Sequence, residues 1–276
     1  MSGAISTMSP ETVPVAGGSA RWALATHSRY LTMQSVRALL RQPFFVAISL
    51  VQPMIWLLLF GELFKRVAEL PGFGASSYID FLIPGIIVMN VLFGASWSGM
   101  TFIEMIGQGT MDRMLTTPLK RGALIIASLA YNSITIVVQT AIIFLVGWPL
   151  GATYTAPGIL VSLAATILLT GAFCSISNAY ALVLRSREAL IGLSIMLALP
   201  LSFLSSALMS QGAAPDWIRS VSRFNPVDWA VVASREALSG SPDWGAVWAH
   251  LGYLAVIALL LGYLATRAFG SYQRSI

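Results

Sequence analysis

Gly94 to Thr101 reads GASWSGMT, with two glycines and a threonine at the spacing of a phosphate-cradling loop. That chemistry needs a lysine at the seventh position to reach the phosphates, and Met100 stands there instead. The same residues miss the G-x-S-x-G spacing of a nucleophile elbow by one position. No sequence argument pairs a histidine with Ser96 or Ser98. Metal chemistry has as little to build on, because the chain holds two histidines, His27 and His250, and one cysteine, Cys174. Cys174 lies in an apolar run and cannot form an intrachain disulfide, so it reads as a small buried thiol. Three carboxylates, Glu62, Asp80 and Glu104, fall at the ends of apolar runs. A proton- or ion-coupled carrier needs them in mid-membrane. The residues therefore imply no catalytic site, no metal and no cofactor on this chain.

The elements around these residues are membrane-like. The 276 residues are 57% hydrophobic and 10% charged, with mean hydropathy +0.78. A soluble domain carries roughly 25% charged residues. Runs of about 20 apolar residues are long enough to cross a bilayer, and they predict six spans, over about 44–64, 79–103, 122–146, 158–184, 189–209 and 244–267. No charged residue occurs between Gly122 and Leu184, so two spans must share that stretch. The cluster GWPLGATYTAPG in its middle turns them into a tight hairpin. Pro200 predicts a kink in the fifth span. Ser241 and Pro242 read as the cap and first residue of the sixth.

Charge sets the orientation. Eleven of the 16 basic residues fall on one side of this layout: Arg21, Arg29, Arg37, Arg41, Arg113, Lys120, Arg121, Arg185, Arg187, Arg267 and Arg274. The positive-inside rule then makes both termini cytoplasmic, as an even number of spans requires. The surplus of +5 reports topology, so no nucleic-acid partner is expected. Residues 1–20, rich in Ser, Thr, Pro, Gly and Ala, lack the basic and apolar regions of a signal peptide and predict a disordered cytoplasmic tail. Over residues 21–43, Arg29, Arg37 and Arg41 are spaced among Trp22, Tyr30, Met33 and Leu39. That suits an amphipathic helix lying in the lipid headgroups, in preference to a solvated run.

Two further segments stand out. The loop after the second span mixes Met111, Met114 and Leu115 with Asp112 and Arg113 before Pro118. A short helix over 110–116 would offer an apolar face to a groove on a soluble partner; an ordinary connector is the plain alternative. The external segment 210–241 has helix starts at Pro215 and Asn225-Pro226. Trp217, Phe224 and Trp229 make it too apolar for a free loop, so it is expected to dip into the outer leaflet or cap the bundle. Its charges are expected to pair locally or face water.

YIDFLIPGIIVMNVLFG from Tyr78 to Gly94, GTMDRMLTTPLKRGALIIAS from Gly109 to Ser128, and NPVDWAVVASREAL from Asn225 to Leu238 occur in this order on a six-span frame. With these motifs the chain, over about residues 30–270, resembles the membrane subunits of ABC-2-type exporters, in particular the daunorubicin-resistance permease group. The resemblance implies an all-α polytopic membrane protein, with a six-span domain over 44–270 in a bacterial-type inner or plasma membrane. Its external element, with Trp217, Phe224, Asn225, Pro226 and Trp229, would be re-entrant. It implies no ATPase site on this chain. Two copies of a separate ABC ATPase would carry ATP and Mg, and a second permease, identical or related, would complete the path. Thr110, Met111, Asp112, Arg113, Met114, Leu115, Thr116, Pro118 and Arg121 would form the ATPase-coupling loop, and Arg29, Arg37 and Arg41 the connecting helix. The cargo would be a lipophilic drug, lipid or glycan moved outward by alternating access, with Asn90, Phe93, Trp97 and Met100 as a possible path. A stand-alone channel or secondary carrier, and a non-transporting assembly factor, are the alternatives.

Overall fold

The computed structural model describes residues 43–64, 77–110, 121–208 and 215–272. They form nine α-helices, and no strand occurs among the described residues: α1 (Pro43–Leu63), α2 (Tyr78–Ser96), α3 (Met100–Gly107), α4 (Arg121–Gly147), α5 (Ala156–Leu184), α6 (Arg187–Phe203), α7 (Asp216–Ser222), α8 (Pro226–Leu238) and α9 (Trp244–Tyr272). The segments expected to form a tail at 1–20 and a connecting helix at 21–43, except Pro43, lie outside the described residues.

Local chemistry explains most helix ends. The Ser77 hydroxyl accepts from the Ile79 amide at the start of α2, and Thr155 accepts from Gly158 at the start of α5. Gly151, at φ +94, lets the chain turn between α4 and α5, where the hairpin was expected. The start of α9 differs from expectation. Asp243, not Ser241, is the cap, its Oδ1 accepting from the amides of Gly245 and Ala246 at 2.9 and 3.2 Å. Pro242 therefore stands before the helix. A carboxylate two residues nearer the first free amides outcompetes the serine hydroxyl.

Five segments are long and apolar enough to cross a membrane: Val46–Leu63, Tyr78–Gly107, Leu124–Gly147, Ala156–Leu184 and Trp244–Arg267. The fifth expected span, 189–209, corresponds to α6, which has 17 residues and stops at Phe203 and is not among these five. The second span is also not one helix. A turn at Trp97–Gly99 separates α2 from α3, because side chains from other helices satisfy the backbone there.

Helix α5 is the hub, packing on α9, α8, α4 and α2. Ala165, Leu169, Ala172 and Phe173 of α5 are buried against Val91 and Leu92 of α2, Val227 and Val231 of α8, and Leu254 of α9. A second cluster joins Leu57 of α1, Leu82, Ile83 and Ile87 of α2, and Ile143 of α4. At the opposite end Phe102 of α3 packs with Leu124, Ile125, Ala181 and Leu182. The outer faces of α1 (Ile48, Val51, Ile55, Leu59) and α9 (Val256, Leu259, Leu260) are exposed and apolar. Contiguous apolar surface of this kind is stable against lipid and prone to aggregation in water.

Candidate functional site

Three polar assemblies inside the bundle are the candidates for functional parts. The first lies where α8 meets the end of α6. Asn225 caps α8 by accepting from the Val227 amide, and its Nδ2 donates to the carbonyls of Leu201 and Leu204 at 2.7 and 3.0 Å. One side chain thus starts α8 and ends α6. Three residues on, Asp228 accepts from the Ser206 amide at 2.6 Å and is only 3% exposed. Arg235 completes the latch. Its Nη2 donates to the carbonyls of Ser206 and Phe81, both at 3.1 Å, and its guanidinium lies 3.7 Å from the centre of the Phe81 ring. Next to this contact Pro84 interrupts the α2 ladder, and Gly85 lets the Ala207 carbonyl approach the helix backbone. Asn225, Asp228 and Arg235 therefore tie α8, the 204–207 turn and the outer part of α2 together.

This corrects the expectation that the charges of the external segment pair locally or face water. Arg219 does pair locally, with Asp216 at 2.9 Å. Asp228 and Arg235 turn inward, because backbone groups of α2 and the 204–207 turn offer partners there. The signal was present in the spacing. Positions 225, 228 and 235 fall on one side of a helix otherwise lined with Ala and Val.

The second assembly crosses three spans. Asn90 of α2 donates to Gln139 Oε1 at 2.9 Å, Gln139 of α4 donates to Ser49 at 2.7 Å, and Ser49 of α1 donates to the Val46 carbonyl. Hydrogen bonds between membrane helices average about 0.6 kcal/mol each. Gln139→Leu removes two of them, and the expected loss is about 1 kcal/mol, read as an earlier thermal unfolding transition in detergent micelles. An unchanged transition would mean lipid or water replaces Gln139 without cost.

The third assembly is the α2–α3 break. The Ser96 carbonyl accepts from Ser177 at 2.6 Å and Ser194 at 2.8 Å, and the Gly99 amide donates to Ser177 Oγ at 2.9 Å. Beside it, Asn178 donates to Ser128 and Cys174, and Ser98 reaches Asn178 at 3.4 Å. Cys174 is buried, as expected. The small residues of GASWSG serve close packing here. Gly99 sits against the Ser177 backbone, and a Cβ on Gly94 would meet Ile136 at 3.4 Å.

Of the possible path residues, Asn90 is engaged by Gln139, Phe93 packs against the core, and Trp97 is 51% exposed at the break. Met100 opens α3, so the four do not share one helix. Of the residues expected to form a coupling loop, Thr110 is half-buried after Gly109, at φ +65, and Arg121 opens α4. Met111, Asp112, Arg113, Met114, Leu115, Thr116 and Pro118 lie outside the described residues, as do Arg29, Arg37 and Arg41. In the external element, Trp217 and Phe224 are exposed on and just after α7, and Pro226 opens α8. Trp229 donates to the Arg223 carbonyl at 2.7 Å and packs on Tyr253. Of the carboxylates noted in the sequence, Glu62 and Asp80 stand at helix ends and Glu104 lies within α3. Asp80 accepts from the Thr153 amide at 2.8 Å, and Glu104 pairs with Arg187 at 3.1 Å. Burial, helped by the Asp80 carboxylate, pushes the nearby Tyr154 phenol well above its ordinary pKa, so it stays protonated. Among the described residues no group of three His, Cys, Asp or Glu side chains is arranged to hold a metal ion.

Known proteins resemble the chain over most of its length. The family described as ABC-2 type transporter matches residues 26–238. A transport permease of Cyanophora paradoxa, ycf38, is 30% identical over 203 residues, covering 73% of this chain and 70% of the relative. The daunorubicin resistance ABC transporter permease protein DrrB1 of Streptomyces coeruleorubidus is 28% identical over 219 residues, covering 76% and 75%. Nodulation protein J of Rhizobium leguminosarum bv. trifolii is 26% identical over 256 residues, covering 91% and 93%.

Proposed function

Since the chain belongs to the ABC-2 type transporter family, whose members are the membrane components that work with an ABC ATPase subunit, we propose that it forms half of an outward pump. Two such permeases, identical or related, pair with two ATPase subunits, which hold ATP and Mg. In this reading the segment at 109–121 docks in the ATPase, with Met111, Met114 and Leu115 in its groove and Asp112 and Arg113 fixing the orientation. Residues 21–43, with Arg29, Arg37 and Arg41, lie beside it as the connecting helix. The single observation that carries this reading is the junction of Phe102 with Leu124, Ile125, Ala181 and Leu182. It puts the two ends of the loop at the same end of the bundle as Arg185 and Arg187, where basic residues concentrate. That end is the cytoplasmic one by the positive-inside rule, and both termini belong to it.

The six-span layout follows if α6 is a short fifth span, since about 17 residues lie at the lower limit for crossing a bilayer. The external element is then α7 and α8. Helix α8 enters the bundle beside α5, α9 and α2, which supports a re-entrant reading. The cargo in this reading is a lipophilic drug, lipid or glycan, and the drug-resistance permease among the relatives supports the first of these.

The test is the double substitution Met114→Asp and Leu115→Asp, reconstituted with the ATPase subunit in liposomes. Substrate stimulation of ATP hydrolysis is expected to disappear while membrane insertion stays normal. Stimulation and transport equal to wild type would remove the docking role from this loop.

A further inference from the structure

The hydroxyls of α5 divide into two kinds. Ser162, Thr166, Thr170 and Ser175 donate to carbonyls of their own helix, at 2.8, 2.9, 2.7 and 2.6 Å. Ser177 instead reaches across to the Ser96 carbonyl and also receives the Gly99 amide. The same contrast holds on α6, where Ser202 bonds to its own helix and Ser194 crosses to Ser96. The Ser96 carbonyl is available because the Met100 amide, its partner in a continuous helix, donates to Trp97 at 3.0 Å. Two hydroxyls from two helices thus converge on one freed carbonyl, in a region where an unbonded backbone group costs several kcal/mol.

We propose that Trp97–Gly99 is a hinge about which α3 tilts against α2, and that Ser177 and Ser194 are the positioning residues that set its resting angle. Each hydroxyl has a second acceptor within its own helix, the Phe173 and Leu190 carbonyls four residues back. Swinging between the two acceptors therefore conserves the number of hydrogen bonds on the serine side. The two sides of the hinge are held unequally. Helix α2 is buried along most of its length and clamped at Phe81 by Arg235. Helix α3 has one buried side chain, Phe102, and a half-exposed Glu104–Arg187 pair, a kind of contact worth about 0.2–1 kcal/mol. Motion therefore concentrates in α3, which leads into the 109–121 segment. The hinge extends the docking reading of that segment, but its test needs no ATPase.

Nitroxide labels at Gln108→Cys, at the end of α3, and Leu264→Cys, on the exposed side of α9 near the level of the break, report the hinge in the full-length chain in lipid nanodiscs. Cys174 remains, being fully buried. From Gly99 to Gln108 the lever is roughly 13 Å, so a tilt of about 20° moves the label on the order of 4–5 Å. Pulsed electron–electron resonance on the parent should give one distance population. Adding Ser177→Ala and Ser194→Ala should add a second, shifted population, and Ser194→Ala alone a smaller one. A control pair, Leu160→Cys with Leu259→Cys, should not change. Identical Gln108–Leu264 distributions with and without the serines would overturn the hinge. Equal broadening of both pairs would overturn it too, because the serines would then only hold the fold. If the hinge responds and the Met114→Asp, Leu115→Asp complex keeps its stimulation, the docking reading alone fails.

Discussion

Arg235→Leu is expected to destabilise the bundle by about 3 kcal/mol, since hydrogen bonds made by a charged group contribute about 1.5–3 kcal/mol each. The substitution strips two hydrogen bonds, to Phe81 and Ser206, and the cation–π contact with the Phe81 ring. It also removes a positive charge that favours the buried Asp228 carboxylate. The last effect is separable. Asp228→Asn keeps an oxygen for the Ser206 amide and removes the charge, so in the Arg235→Leu background it should recover part of the loss. Equilibrium unfolding in mixed micelles, followed by tryptophan fluorescence, reads all three variants. A single Arg235→Leu variant within about 1 kcal/mol of wild type would mean that the latch contributes no more than an exposed ion pair.

The second large effect is expected at Gly85. A Cβ there would run into the backbone carbonyl of Ala207, which has no side-chain freedom with which to retreat. Gly85→Ala should therefore cost about 3 kcal/mol, the upper end of overpacking in a well-filled core. Displacing Ala207 also drags Ser206, whose amide and carbonyl anchor Asp228 and Arg235. The same measurement on Gly192→Ala is the control. Nothing lies within 4 Å of a Cβ at that position, and replacing glycine inside an exposed helix surface favours the helix by about 1 kcal/mol. The two substitutions are chemically identical and should have opposite signs. If both variants unfold alike, the close approach of the 204–207 turn to α2 is not real in the membrane.

Many features of this architecture could be read from residues a few positions apart. The hairpin between α4 and α5 follows from glycines and prolines in Gly147–Gly158, and the start of α8 follows from Asn225-Pro226, an acceptor beside a residue with preset φ. The apolar runs marked the membrane character, because a backbone in lipid must bond to itself and a helix does so locally. The order of three motifs marked the family.

The features that escaped depend on partners remote in the chain. A charge-free run over 81–103 predicts one helix, and its break needs hydroxyls contributed by residues 177 and 194. Helix α6 ends at Phe203 because Asn225, more than 20 residues onward, caps its last carbonyls. A long cationic side chain such as Arg235 belongs at the surface by residue type, although its spacing from Asn225 and Asp228 puts it on their side of α8. It turns inward and is half-buried because the Phe81 carbonyl, 154 residues away in sequence, and the Ser206 carbonyl face it. Composition and short-range spacing thus determine which segments enter the membrane, since each helix satisfies its own backbone. Where a helix breaks, stops short or accepts a charge is decided by donors and acceptors from other helices, which come together only when the bundle is packed.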